Sequence, residues 1–377
     1  MSPVGRAAVF HGPRQPFEIR ELPTPDLEPG SVLVRVTSAS ICGSDLHFWR
    51  GDAPVYAVGA PGPVIIGHEC TGVVHSLGPG VSTDSLGQPL REGDRVVFTY
   101  FFPCHRCYWC TRGDIVNCPS RMRYRKVLEL FPYCTGGFAD YYYLMPGHYI
   151  YKVPDELPEE MVTPVNCALA QVTYGLQQGG VGFDDTVVVQ GAGGLGLYAC
   201  AVAKEMGAGR VIAIDGVPQR LEMARRCGAD ETVDLNDYPT PEARVERVRE
   251  LTGGRGADLV IELVGFPGVI PEGLQMLRQG GTFVEIGNIS RGSSVTFDPS
   301  FLVRYGVRWV SCLHYHPRVL PQALDFLVRT KGKYALDRIV SHRFPLERIT
   351  EAFETAEWLG RQKEVGVTRA ILTMVEG

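Results

Sequence analysis

No stretch of this chain stays apolar long enough to cross a bilayer, and the opening residues MSPVGRAAVFHGPRQP carry no apolar leader core. Both absences point to a cytoplasmic protein with no membrane partner. Neither sign of charge dominates. The 37 Lys and Arg meet 42 Asp and Glu, a net charge of −5, which offers nucleic acid no basic surface. The only basic knot, Arg121, Arg123, Arg125 and Lys126, reads as a solvated loop face rather than a clamp for an anionic substrate. Internal repeats and low-complexity tracts are lacking as well. What remains is the composition of a globular protein, 45% hydrophobic and 21% charged over 377 residues, which is enough for two domains.

The most informative stretch runs from Thr186 to Asp215, TVVVQGAGGLGLYACAVAKEMGAGRVIAID. A β-branched run ends at Gln190 and is followed by Gly191, Gly193, Gly194, Leu195 and Gly196, then a helix-forming segment, then a second apolar run closed by Asp215. Strand, glycine turn, helix, strand and acid in that order form the context of a dinucleotide-binding turn. Gly191 makes the tight turn, Gly193 lets the backbone approach a pyrophosphate, and Gly196 lets the helix pack close to the strands. The helix start presents N–H groups to the anion. Asp215, placed to accept hydrogen bonds from the adenosine ribose, would repel a 2′-phosphate and so favours NAD over NADP. Arg220 is the neighbouring candidate for the same ribose. The plain alternative is a glycine-rich turn that binds nothing.

Around this stretch the chain changes texture. Residues 4–40, 64–78 and 94–98 read as short strands between Gly and Pro turns, with Val32, Val34 and Val36 on the buried face of a half-buried strand. That pattern suits a partly open β-barrel. From about Met161, strands expected at 186–190, 210–214, 231–234, 258–263, 281–286 and 307–312 alternate with helices at 195–206, 217–227, 241–252 and 268–278. This is the signature of an α/β doubly wound parallel sheet. The last segments, helices near 319–331 and 346–359 and a strand at 367–373, are expected to rejoin the first domain.

Eleven cysteines cluster in ways that favour metal over disulfides. Cys104, Cys107, Cys110 and Cys118 follow C-x2-C-x2-C-x7-C, four thiolates able to close a tetrahedral shell around a structural zinc. A second, dispersed set comprises Cys42 in ICGSDLH, His68 and Glu69 in GHE, and Cys167 in NCAL. Three such ligands with one open position are what a catalytic zinc requires. Cys70, Cys200, Cys227 and Cys312 read as core residues and Cys134 as an incidental loop thiol. His11, His75, His105, His148, His314, His316 and His342 read as structural or exposed.

In their order along the chain, ICGSDLH, GHE, the four-cysteine lobe and QGAGGLG resemble the zinc-containing medium-chain dehydrogenase family over essentially the whole length. The resemblance implies a GroES-like, partly open barrel as the catalytic domain, residues 1–168 and 312–377 with the zinc lobe at 100–120. A Rossmann NAD-binding domain at 169–311 interrupts it, and the active site lies between the two. It implies two Zn2+ per chain and NAD as cofactors. Cys42 and His68 are implied as catalytic zinc ligands, with Glu69 just behind the metal and Asp45 orienting the His68 ring. Ser44 would hand on the alcohol proton, His47 would be the outer base of that relay, and Arg369 would lie near the pyrophosphate. The third ligand falls on Cys167 in the polyol and threonine dehydrogenase register and on Ala168 in the alcohol dehydrogenase register; Cys167 is the assignment made here, against a buried thiol that binds nothing. The implied reaction oxidises a primary, secondary or polyol alcohol to an aldehyde or ketone.

Residues 48–62, Tyr100, Phe101 and the 121–134 loop are candidate pocket walls. Among them, Trp49, Tyr56 and Tyr100 suit an apolar alcohol or else pack the barrel rim. Segment 299–312 is a candidate dimer edge, so a homo-oligomer, dimer or tetramer, is expected. Two competing readings are a zinc-free quinone or enoyl reductase on the same fold and a non-catalytic nucleotide-binding scaffold. The sulfur clusters count against the first, and Ser44, Asp45 and His47 beside the ligands against the second.

Overall fold

A computed structural model describes residues 3–53, 62–122, 127–290, 292–358 and 366–374. Its centre is a six-stranded sheet, parallel throughout, in the order Glu231–Asp234, Arg210–Asp215, Thr186–Gln190, Ala257–Glu262, Leu277–Glu285, Arg308–Ser311. Its central strands Thr186–Gln190 and Ala257–Glu262 are buried along their whole length because both faces are covered. Val188, Ile212, Val233, Val260 and Phe283 enter one hydrophobic cluster, while Val187, Val189, Val211, Leu259, Ile261 and Val284 enter another. Strand order reverses beside Thr186–Gln190, so the crevice at the carboxyl ends of these strands opens over the glycine turn.

The expected strands and helices of this half all form, with small shifts at their ends. The helix expected at 268–278 runs only over Ile270–Met276, because Leu277 turns extended (φ −73°, ψ 146°) and starts the next strand early. Segment 299–312 divides into a helix, Ser300–Tyr305, and the edge strand Arg308–Ser311.

The other half holds a seven-stranded and a three-stranded sheet. Val32–Ser40 is its hub, pairing with Glu69–Leu77, with Tyr141–Leu144 and with the late strand Ala370–Thr373. The last strand and the helix Ile349–Ala356 thus pack with this half, whereas helix Val319–Arg329, expected to do the same, buries Leu320, Leu324 and Leu327 in the cluster of Val187 and Val211. Val32, Val34 and Val36 are buried while Arg35 between the last two is exposed, the alternation expected of this strand. Two pairings fix the chemistry that follows: Ser40 lies opposite both Glu69 and Ile371. That register brings Cys42, His68, Glu69 and Arg369 together from three distant parts of the sequence. Among the described residues no helix is long and apolar enough to cross a membrane.

Candidate active site

A cleft of about 1340 Å³ lies between the two sheet systems, lined at one end by Cys42, Ser44, His68 and Cys167 and at the other by Gly191, Gly193 and Asp215. A pocket for one small ligand is typically smaller, roughly 300–1,000 Å³, so this space suits a dinucleotide with a substrate beside it.

At the first end, helix Gly43–Arg50 begins with Cys42 as its cap, and Asp45 reaches back to the Cys42 N–H at 3.0 Å. The same Asp45 carboxylate stands 3.4 Å from His68 Nδ1, which leaves Nε2 facing the sulfurs. Cys167 comes from the π-helical turn Val165–Leu169. Its neighbour Asn166 pins that turn by donating to the His68 and Phe98 carbonyls, at 3.0 and 3.1 Å, and accepting from the Cys70 N–H.

The resulting distances are 3.8 Å between the Cys42 and Cys167 sulfurs and 3.3 Å from His68 Nε2 to Cys167 Sγ. Zinc–sulfur bonds of ~2.3 Å at tetrahedral angles put two sulfurs about 3.8 Å apart, so the donor set fits a zinc ion. The Cys167 thiol and the His68 ring hold the Cys42 thiol well below its usual range. Burial opposes charge on His68, and Asp45 outweighs it, raising the ring's proton affinity. Both shifts arise from neighbours within the same buried cluster.

Glu69 stands apart from the three donors. Its carboxylate bonds Arg369 Nη1, which also donates to Ser40 Oγ at 3.0 Å. Burial raises Glu69 to about 7 despite Arg369 beside it. The guanidinium spans both ends of the cleft, since a Cβ on Gly194 would come within 2.7 Å of Arg369 Nη2.

In the glycine turn, Gly191 adopts φ +93°, a left-handed conformation that glycine tolerates best. A Cβ on Gly196 would sit 1.9 Å from the Gly191 carbonyl oxygen, whereas one on Gly193 would meet nothing within 4 Å. Gly196 thus makes room chiefly for the turn's own carbonyl rather than for the helix packing on its strands. Asp215 accepts from the Ala192 and Val217 N–H groups at 2.8 and 2.9 Å, bracing the turn while lining the cleft. Arg220 stands 4.0 Å from Asp215 and donates to the Val367 carbonyl. Leu195 also lines this end.

The four-cysteine lobe gathers as the spacing requires, with Cys107 Sγ 3.5 and 3.9 Å from the sulfurs of Cys110 and Cys118. The Arg106 backbone N–H and the neighbouring thiols hold Cys104 down to about 6. Helix Tyr108–Thr111 buries none of its side chains, so the lobe has little apolar core of its own.

The pocket walls differ from the sequence reading in several places. Tyr100 does line the cleft, but Trp49 packs its ring on Phe353 at 6.0 Å within the core. Tyr56 lies outside the described residues, as do Arg123, Arg125 and Lys126. Arg121 is no solvated loop residue. It is partly buried in the cleft wall and donates to His314 Nδ1 at 3.2 Å and the Cys118 carbonyl at 3.0 Å. His314 packs tilted against Tyr100 and edge-on to Phe101 in the same wall, and the loop thiol Cys134 is buried. No motif marked Asn166, His314 or Ser290, which bonds His47 at 2.9 Å, because each acts through distant partners.

Residues 194–329 match the family model for zinc-binding dehydrogenases, and residues 28–155 that for the alcohol dehydrogenase GroES-like domain. The chain is 37% identical over 338 residues to 5-exo-hydroxycamphor dehydrogenase of Pseudomonas putida, covering 89% of this chain and 91% of that one. It is 32% identical over 360 residues to erythritol/L-threitol dehydrogenase of Mycolicibacterium smegmatis, 93% of each. Among solved structures, an alcohol dehydrogenase of Thermotoga maritima superposes with a TM-score of 0.88 at 28% identity, covering 99% of this chain and all of that one. The chain belongs to the zinc-type medium-chain alcohol dehydrogenase family and is an oxidoreductase of that class.

Proposed function

We propose that this protein oxidises a small alcohol to its carbonyl compound, or runs the reverse, with NAD rather than NADP and with two zinc ions per chain. The observation that carries this reading is the convergence of Cys42, His68 and Cys167 in the cleft that also holds the glycine turn. Those three side chains would hold the catalytic ion, and Cys104, Cys107, Cys110 and Cys118 the structural one. When bound, the catalytic zinc supplies Lewis acidity to the alcohol oxygen and the nicotinamide ring supplies the hydride acceptor.

The chain's own residues do the rest. Asp45, 3.4 Å from His68 Nδ1, favours the proton on that nitrogen and so fixes the tautomer. Ser44, lining the cleft beside Cys42, takes the hydroxyl proton and passes it outward, and His47 is the outer end of that path. Arg369 offers its guanidinium beside the helix start, while Glu69 balances part of its charge. Asp215 binds the adenosine ribose and disfavours a phosphate there, with Arg220 next to it. Phe48, Tyr100, Met122 and Leu313 give the substrate end an apolar wall that excludes water.

Residues 1–168 and 312–377 form the catalytic unit in this reading, and 169–311 the cofactor unit. The eleven cysteines, all unpaired, favour the reducing cytoplasm. The outer edge of strand Arg308–Ser311 is where a second copy would extend the sheet.

The direct test is Cys167→Ser. It should remove one of two zinc ions per chain, measured by elemental analysis, and abolish NAD-linked alcohol oxidation. Unchanged zinc content and turnover would remove Cys167 from the site.

A further inference from the structure

His47 lies in the last turn of helix Gly43–Arg50 in an unusual setting. Its Nδ1 has three neighbours: Ser290 Oγ at 2.9 Å, Arg50 Nη2 at 3.0 Å and Asp52 Oδ2 at 3.4 Å. A guanidinium can only donate, so its bond requires a lone pair on Nδ1. A carboxylate can only accept, so turning the 3.4 Å approach of Asp52 into a hydrogen bond requires a proton there. One nitrogen cannot satisfy both at once.

Neither neighbour is placed by chance. The Arg50 side chain is 1% exposed and held at all ends, by Asp52 Oδ2 at 2.5 Å, by Glu357 Oε1 at 2.9 Å and by the Trp358 ring at 5.3 Å. Asp52 follows the helix cap Gly51 (φ +86°), and its N–H donates to the His47 carbonyl at 3.0 Å. Its carboxylate is 37% exposed, the one member of the cluster open to water.

We propose that Arg50 and Asp52 are opposed positioning residues that set the proton occupancy of His47, with the Asp52 side as the exit to solvent. This rests on reading His47 as the outer end of the proton path. With Nδ1 bare, the ring accepts from Arg50 and carries its proton on Nε2. A proton arriving from the cleft at Nδ1 makes the ring cationic; the Arg50 bond is lost and Nδ1–H turns to Asp52. The proton then leaves Nδ1 for water beside Asp52, and the neutral ring regains Arg50.

Arg50 keeps Asp52 and Glu357 in both states, so the swing needs no unpaired buried charge. The charged groups facing the ring among the described residues are Arg50, Asp52 and, more distantly, the Cys42 sulfur. Ser290, from the segment across the cleft, is neutral. Burial and then Arg50 lower the ring's proton affinity, while Asp52 raises it.

The test follows the His47 ring through pH by NMR in zinc-loaded protein, its signal assigned with His47→Gln, alongside the pH profile of kcat/KM for alcohol oxidation. Arg50→Gln should raise the His47 midpoint by about one pH unit. The acid limb of the profile then moves to higher pH, because the base form is populated later. Asp52→Asn should lower the midpoint and move the limb the other way, and Arg50→Lys should restore most of the parent behaviour. Midpoints that stay put, or that move the same way in both variants, would overturn the proposal. If Arg50→Gln does not fold, Asp52→Asn and Arg50→Lys still decide it. Turnover undiminished in His47→Gln would instead sink the relay reading, whatever the midpoints do.

Discussion

Gly193 and Gly196 stand three residues apart in one turn, yet a methyl group would meet opposite fates at the two positions. At Gly196 it would lie 1.9 Å from the Gly191 carbonyl oxygen, and at Gly193 it would enter open space toward the cleft. Gly196→Ala should therefore lower the melting temperature sharply, a cost of about 3 kcal/mol or more from overpacking against backbone that cannot yield. Gly193→Ala should melt like the parent but bind NADH several-fold more weakly by fluorescence titration. Equal melting of the two variants would contradict this division of roles.

The sequence pattern assigned Gly193 to the ligand and Gly196 to the fold, but not that Gly196 clears the turn's own carbonyl, since that depends on where the Gly191 carbonyl points. Asp215 teaches the same lesson. Its position was legible, but its second duty, bracing Ala192 and Val217, was not. Arg50 lay in plain view next to ICGSDLH and still carried no message, because its partners Glu357 and Trp358 come from the other end of the chain.

At the scale of elements, local spacing was legible wherever the chemistry is local. The lobe of Cys104, Cys107, Cys110 and Cys118 is contained in fifteen residues, and its four sulfurs meet within them. Because helix Tyr108–Thr111 buries nothing, metal should supply most of what holds the lobe together. Cys104→Ala should accordingly remove one zinc per chain and lower the melting temperature by several degrees; unchanged metal content and melting would contradict a structural site.

The three-donor cluster is the opposite case. Cys42, His68 and Cys167 meet only because strand Val32–Ser40 pairs with Glu69–Leu77 and the turn Val165–Leu169 is pinned by Asn166. Spacing alone left Cys167 and Ala168 as rivals, and the fold turns the Cys167 sulfur toward Cys42. The walls of the cleft were hardest to read. Aromatic residues serve core and pocket alike, so Tyr100 reached the cleft while Trp49 went to the core.

Across the whole molecule, the layout follows from two sheet systems that face each other. The parallel sheet reverses its strand order beneath the glycine turn, and the hub strand of the other half places the soft donors above it. Neither half is a complete site. Among the described residues both clusters of metal donors lie away from the glycine turn, and Arg369 bonds Glu69 at one end while its guanidinium lies against Gly194 at the other.

The measurement that tests this account most directly is reduction of NAD, and separately of NADP, by the purified chain across primary, secondary, aromatic and polyol alcohols. Each run is made with and without a zinc chelator. The expected result is turnover of at least one alcohol class with NAD well ahead of NADP, abolished by the chelator and restored by added zinc. Hydride transfer that persists undiminished in the metal-free protein, or silence across the panel with both zinc ions bound, would contradict it.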